Sequence, residues 1–214
     1  MTARLALRRA RPFAAAALAA LVLLAGCTTL KKWTYEGFGR DAWQQPEKVV
    51  QSLALKPGDR IADLGSGGGY FTFRLSRAVG PTGKVYAVDV DKDMLEDLAE
   101  RAKKDGYGNV ETVLGKYDDP SLPEPGVDLI FTSNVYHHID ARAKYFAGAA
   151  KYLRPDGRIA IVDFNGKHWS ATFIGHYSPV ELIKKEMDEA GYRLEREFDF
   201  LDRQSFLVFA KKVR

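Results

Sequence analysis

From Asp63 to Tyr70 the chain reads Asp-Leu-Gly-Ser-Gly-Gly-Gly-Tyr, a carboxylate at the end of an apolar run followed by a glycine-rich turn. Gly65, Gly67 and Gly69 allow the backbone to turn tightly and a ligand to lie against main-chain N–H groups with no Cβ atoms in the way. Asp89 ends the next apolar run, Lys84–Val90, and Ser133-Asn-Val-Tyr-His-His-Ile-Asp140 follows a third. Carboxylates can hold an ammonium group or hydroxyls, and an imidazole can take a proton near neutral pH. The chemistry expected is that of a small-molecule site, with His137, His138 and Tyr136 as catalytic candidates. The remaining histidines, His168 and His176, lie in a later loop with Trp169 and Tyr177. His137 and His138 are adjacent and no Cys or His-x-x-x-His spacing accompanies them, so no metal is expected.

The elements that must position these residues can be read from period and punctuation. Pro46 opens a helix carrying Val49, Val50 and Leu53, which Lys56-Pro57-Gly58-Asp59 stops. Arg60–Leu64 is a strand leading into the glycine turn, and Phe71–Val79 is a helix leaving it, ended by Gly80-Pro81. Lys84–Val90 suits a strand buried on both faces. The helix Lys92–Lys104 places Leu95, Leu98 and Ala102 on one side, and Gly106 closes it. Val110–Leu114, Val127–Thr132 and Arg158–Phe164 are strands three to five. Before the last of these, Asp140 is expected to cap a helix over Ala141–Leu153, and Leu153–Gly157 to form a turn. Ser178-Pro-Val-Glu181 has capping-box spacing for a helix reaching Ala190, with Gly191 as its stop. Strands Arg193–Phe200 and Ser205–Lys211 follow, and the short turn between them allows only antiparallel pairing. The expected fold is α/β, a Rossmann-like doubly wound seven-stranded sheet, mostly parallel with an antiparallel last strand.

The formal charge is +4, but Arg4, Arg8, Arg9 and Arg11 sit in an acid-free N-terminal stretch, without which the chain is neutral. Basicity therefore does not point to nucleic acid. Residues 1–26 have a basic start, an apolar run from Phe13 to Leu24 and small residues before Cys27, the layout of a secretory signal. Leu24-Ala-Gly-Cys27 resembles a bacterial lipoprotein signal, which implies lipidation of Cys27, the sole cysteine, and attachment to a membrane. Thr28 after it favours an outer membrane in a Gram-negative source, facing the periplasm. Arg8-Arg9 fits ordinary n-region charge better than a twin-arginine pattern. The expected organisation is a signal peptide over 1–26, a linker or lid over 27–45 and the folded domain over 46–214.

The run Asp63-x-Gly65-x-Gly67-x-Gly69, Asp89 after the next strand, the Leu153–Gly157 turn and the antiparallel end together resemble class I S-adenosylmethionine (SAM) dependent methyltransferases over roughly residues 45–212. Tyr70 stands where a nicotinamide-type turn would want glycine. The resemblance implies SAM as cofactor and an unidentified acceptor, with a non-catalytic SAM or metabolite-binding lipoprotein of the envelope as the alternative. Asp63 would hold the methionine ammonium, Gly65, Ser66 and Gly67 would pass beneath the sugar, and Asp89 would accept from the ribose hydroxyls beside Val90. Asn134 would be a further cofactor-binding residue. Such enzymes often carry Gly-Asp after strand three to receive the adenine amino group. Here Lys116 follows Gly115, so Asp118, Asp119 or the backbone at Lys116 and Tyr117 would have to serve. No Asn-Pro-Pro-Tyr-type motif is present, which disfavours a nucleic-acid amine; a small-molecule acceptor is expected, with O-, N-, S- and C-methylation all open. Asp163, at the carboxyl end of strand five, could contact substrate or the neighbouring loop.

Overall fold

Along each central strand, neighbouring residues belong to different apolar clusters, as a sheet covered on both faces requires. On β1 (Arg60–Leu64) Ile61 joins one cluster, and Ala62 and Leu64 the other. The same alternation runs through Leu129, Ile130 and Phe131 of β4 (Val127–Ser133), and through Ile159 to Val162 of β5 (Leu153–Phe164). The computed structural model describes residues 39–123, 126–167 and 175–212. They belong to a unit running from Phe38 to Arg214, so the folded part starts ahead of the expected residue 46. Cys27, the signal-like segment, His168 and Trp169 lie outside the described residues.

The sheet has seven strands in the order β3-β2-β1-β4-β5-β7-β6, where β2 is Lys84–Asp89, β3 Val110–Leu114, β6 Tyr192–Phe198 and β7 Gln204–Lys211. Strands β1 to β5 pair in parallel, while β7 is antiparallel to both neighbours and lies between β5 and β6. Helices α2 (Pro46–Ser52) and α3 (Thr72–Val79) cover one face through Val49, Val50, Leu75 and Val79. Helices α5 (Arg142–Ala149) and α6 (Val180–Glu189) cover the other through Phe146, Ala149, Ile183 and Met187. Helix α4 (Lys92–Lys104) packs Leu98 and Ala102 against Phe73 and Ala87. A short helix, α1 (Arg40–Gln44), precedes them. Among the described residues no helix is long and apolar enough to cross a membrane.

Three local expectations are corrected. Asp140 makes no side-chain cap: Ala141 holds the N-cap position at φ 47°, and α5 ends at Ala149, giving way to a 3-10 turn over Ala150–Tyr152. Gly148 in its last turn weakens the helix there. The capping box does not form either, because Ser178 is buried and tied through its backbone N–H to Phe164 O, which leaves Pro179 at the N-cap. The turn at Leu153–Gly157 is a bulge within β5, its register against β4 jumping from Val127↔Leu153 to Leu129↔Arg158.

Candidate active site

Strand order reverses between β1, which leads outward to β2 and β3, and β4, which leads to β5. Chains leaving the carboxyl ends of β1 and β4 diverge at such a point and open a crevice. Asp63, the glycine turn, Asp89, Ser133 and Asp163 all stand on that edge.

Asp63 is buried, and its Oδ2 accepts from Thr72 Oγ1 at 2.6 Å. Burial, helped by the nearby Asp89 charge, raises its pKa to about 7. Asp89 Oδ2 accepts from Gly67 N at 2.8 Å and its Oδ1 from Asp91 N at 3.0 Å, which fixes the carboxylate while leaving lone pairs for a hydroxyl pair. Helix α4 takes its cap from Asp91, whose Oδ1 accepts from Asp93 N and Met94 N, so Asp89 is spared that task. Gly65 sits at φ 71°, and a Cβ there would lie 2.2 Å from Val135 Cγ2. The β1 loop and the segment after β4 thus touch where only glycine fits. The Ser66 hydroxyl in the same loop is buried without a partner among the described residues.

Sequence reading assigned α1 to a linker or lid and missed what it contributes. Gln44 is fully buried and donates from Nε2 to Ser133 Oγ at 2.8 Å, and the Trp43 ring stacks on Phe164 at 5.7 Å. The Arg40 guanidinium lies 3.7 Å from the centre of the Tyr70 ring, and the Tyr70 hydroxyl donates to Asp41 at 2.6 Å. Burial lowers the Arg40 pKa, while Tyr70 and Asp63 oppose that shift. Helix α1 is therefore fastened to the ends of β4 and β5 and to the glycine turn, with a cation near Asp63. The aromatic density before Pro46 was the only sequence signal for it.

Beyond β3 the edge is open. Val90, Leu114 and Tyr117 are exposed apolar groups, Tyr117 at 84%. Asp118 is exposed, but Asp119 is already engaged by Lys151 Nζ, Tyr152 Oη and Ser121 N. The Lys116 N–H donates to Asp119 O at 2.8 Å. Asp119 and the Lys116 N–H are thus already engaged within the loop, while the Tyr117 backbone makes none of these contacts. Exposed apolar surface, Asp118 and the Tyr117 backbone remain for an adenine ring.

After β4, a 3-10 turn over Tyr136–His138 sorts the three catalytic candidates. Tyr136 is fully buried against Phe146, and its hydroxyl donates to Glu186 Oε2 at 2.7 Å, where Arg142 also binds. Burial and the Glu186 charge push its pKa upward. Tyr136 belongs to the core and is removed from the catalytic set. His137 Nδ1 instead lies 2.7 Å from Asp163 Oδ1, with both side chains nearly sealed from solvent. His138 is exposed, and partial burial with His137 and His176 alongside lowers its pKa. His176 comes from the segment after β5, its ring centre 5.5 Å from His137 and 5.2 Å from His138. Asn134, at φ 59°, accepts from Gln204 Nε2 at 2.6 Å and donates its backbone N–H to Val162 O, so it braces the turn.

A mostly parallel seven-stranded sheet with β7 inserted in reverse, bearing carboxylates at the ends of β1 and β2, defines a Rossmann-like protein of the methyltransferase class. Residues 55–199 match the family model described as a methyltransferase domain, and the chain belongs to that family. It is 33% identical over 153 residues to an arsenite methyltransferase of Halobacterium salinarum, covering 65% of this chain and 38% of that protein. It is 31% identical over 118 residues to the ubiquinone/menaquinone biosynthesis C-methyltransferase UbiE of Vibrio parahaemolyticus, covering 55% and 46%. Each match thus spans less than half of the relative's length. A crystal structure of a SAM dependent methyltransferase from Aquifex aeolicus superposes with a TM-score of 0.73 at 28% identity, covering 87% of this chain and 98% of that one.

The residues present fit SAM. Asp63 and Asp89 flank the glycine turn, and Asp89 already holds the Gly67 N–H that a phosphate would need. A diphosphate would meet two carboxylates, whereas an ammonium, a sulfonium and a ribose diol find acceptors. The exposed Val90 and Leu114 offer apolar surface to a flat ring.

Proposed function

We propose that the protein methylates a small molecule, with Asp63 and Asp89 holding SAM and His137 meeting the acceptor. The observation that carries this is the pairing of His137 with the buried Asp163, on the same sheet edge as the carboxylate-flanked glycine turn. When bound, SAM supplies a methyl group already activated on sulfur. Asp63 fixes the ammonium end, Asp89 the ribose and Gly65 the close approach of the loop, so the protein's main contribution is alignment. Asp163 holds the His137 proton on Nδ1, which leaves the Nε2 lone pair to take a proton from an acceptor hydroxyl or amine. Trivalent arsenic prefers thiolate ligands. The chain's one cysteine, Cys27, falls outside the matched residues, which favours an organic acceptor.

The test is calorimetry with S-adenosylhomocysteine on the full chain, followed by transfer of labelled methyl from SAM to small-molecule extracts. An absence of binding at high micromolar ligand sinks the reading. His137→Gln is expected to lower kcat by roughly 10²- to 10⁴-fold for an acceptor that must lose a proton, while S-adenosylhomocysteine affinity stays unchanged. An unaltered kcat removes the base role.

The lipoprotein-type N-terminus adds a proposal resting on sequence alone: Cys27 anchors the domain to the cell envelope, so SAM must reach it there. Incorporation of labelled fatty acid that disappears in Cys27→Ser is the expected result, and an unlabelled wild-type chain ends that proposal.

A further inference from the structure

His137, His138 and His176 each present one ring nitrogen within 4.8 Å of the other two. Linear spacing hid this set and argued against a metal, because two members are neighbours on the 3-10 turn and the third arrives from beyond β5. Behind them Asp163 is fully buried at the end of β5, with one carboxylate oxygen on His137 Nδ1 at 2.7 Å. Its other oxygen, Oδ2, is buried with no hydrogen-bond partner among the described residues. Among the described residues, His137 is the only ion-pair partner of this carboxylate.

A buried carboxylate left half-satisfied is costly unless positive charge stands close by. Three imidazoles this close bring ring-nitrogen lone pairs together. One divalent ion resolves both conditions. A carboxylate on Nδ1 is also how proteins set the tautomer of a histidine ligand and raise the basicity of its Nε2. We propose that His137, His138 and His176 bind a divalent transition-metal ion of the zinc type, with Asp163 as the positioning carboxylate behind His137. Three imidazoles suit zinc rather than calcium or magnesium, which prefer oxygen ligands, and leave a fourth position for water or another oxygen or nitrogen ligand.

Only the use of that position depends on the function proposed above. In the metal-bound protein His137 Nε2 is a ligand, and an acceptor hydroxyl seated on the ion, its pKa lowered by coordination, would release its proton to bulk water instead of to the imidazole.

The untagged full chain, stripped with a chelator and then incubated with excess Zn²⁺, should retain one Zn²⁺ per chain after gel filtration, measured by elemental mass spectrometry. Co²⁺ should give visible absorption bands that Zn²⁺ displaces. His138→Ala and His176→Ala, both at exposed positions, should each weaken Zn²⁺ binding about tenfold or more, and Asp163→Asn by roughly 10- to 100-fold. Far-UV circular dichroism checks that each variant is folded. Failure to retain Zn²⁺ at micromolar concentrations, or equal retention by folded His138→Ala and His176→Ala, overturns the site. Calorimetry with S-adenosylhomocysteine on the same samples separates the two proposals: nucleoside binding without metal overturns the metal site alone. Metal binding without the nucleoside supports the metal site while removing the methyltransferase reading.

Discussion

Asp63→Asn is expected to weaken S-adenosylhomocysteine binding roughly 10- to 100-fold and, in the same protein, to raise the stability of the ligand-free state above neutral pH. Both effects have one cause. The Asp63 carboxylate is buried, and Thr72 is its one hydrogen-bond donor among the described residues, so burial holds its pKa near 7. Between the ordinary carboxylate range and pH 7 the folded protein keeps a proton that the unfolded chain has released. Stability from this group therefore falls as pH rises through that window and levels off above it. Asparagine keeps an acceptor for the Thr72 hydroxyl and removes the buried charge. Its melting temperature should exceed that of the wild type at pH 8 and converge with it near pH 4.

Ligand binding runs with the opposite sign, because the ammonium needs the ionised carboxylate. Wild-type affinity should rise from pH 5.5 to about 7 and then flatten, with about half a proton released per ligand bound at pH 7. Titrations in buffers of different ionisation enthalpy measure that proton directly. Affinity independent of pH over this range would show that Asp63 does not grip the amino end. A melting temperature lowered in Asp63→Asn at pH 8 would show that the carboxylate is not strained by burial.

Gly65→Ala should be the most damaging single methyl in the loop. Its backbone lies at φ 71°, costing roughly 1 kcal/mol for alanine. The new Cβ would meet Val135 Cγ2 at 2.2 Å, a clash relieved only by moving the β1 loop away from the segment after β4. Overpacking of this kind adds about 1–3 kcal/mol. The expected outcome is a melting temperature lowered by several degrees and S-adenosylhomocysteine binding weakened beyond detection by calorimetry. Val135→Ala in the Gly65→Ala background should restore part of the stability, because it removes the methyls that collide while leaving the φ cost. An equally unstable double variant would place the damage in backbone strain alone.

The two sides of the candidate site, the glycine turn and the segment after β4, differ in how far they could be read from the chain. Asp63, the glycine turn and Asp89 were all legible, because each is local: a carboxylate at the end of an apolar run and glycines where the chain must turn. The strand order along the chain and the reversed β7 were legible too, since period and turn length are set by near neighbours. Tyr136 was misplaced for an equally definite reason. In a 3-10 turn consecutive side chains point roughly 120° apart, so Tyr136 faces the core while the two histidines that follow face the site edge. Sequence shows the three residues as equals, and only the turn's orientation against α5 and α6 separates them.

The same division holds across the molecule. By itself the sequence determined the class of fold and the carboxylate-flanked glycine turn at the sheet edge, for these rest on periodicity, glycine and a charge at a strand end. Tertiary structure alone decided that β7 enters between β5 and β6, and that Gln44 reaches Ser133 to fasten α1 over the edge. It also decided that Asp119 is spent on Lys151 and Tyr152, and that Asp163 and His176 close around His137. Each of these is a contact between residues far apart in the chain, created when the parallel crossovers bring all the carboxyl ends of β1 to β5 to one edge.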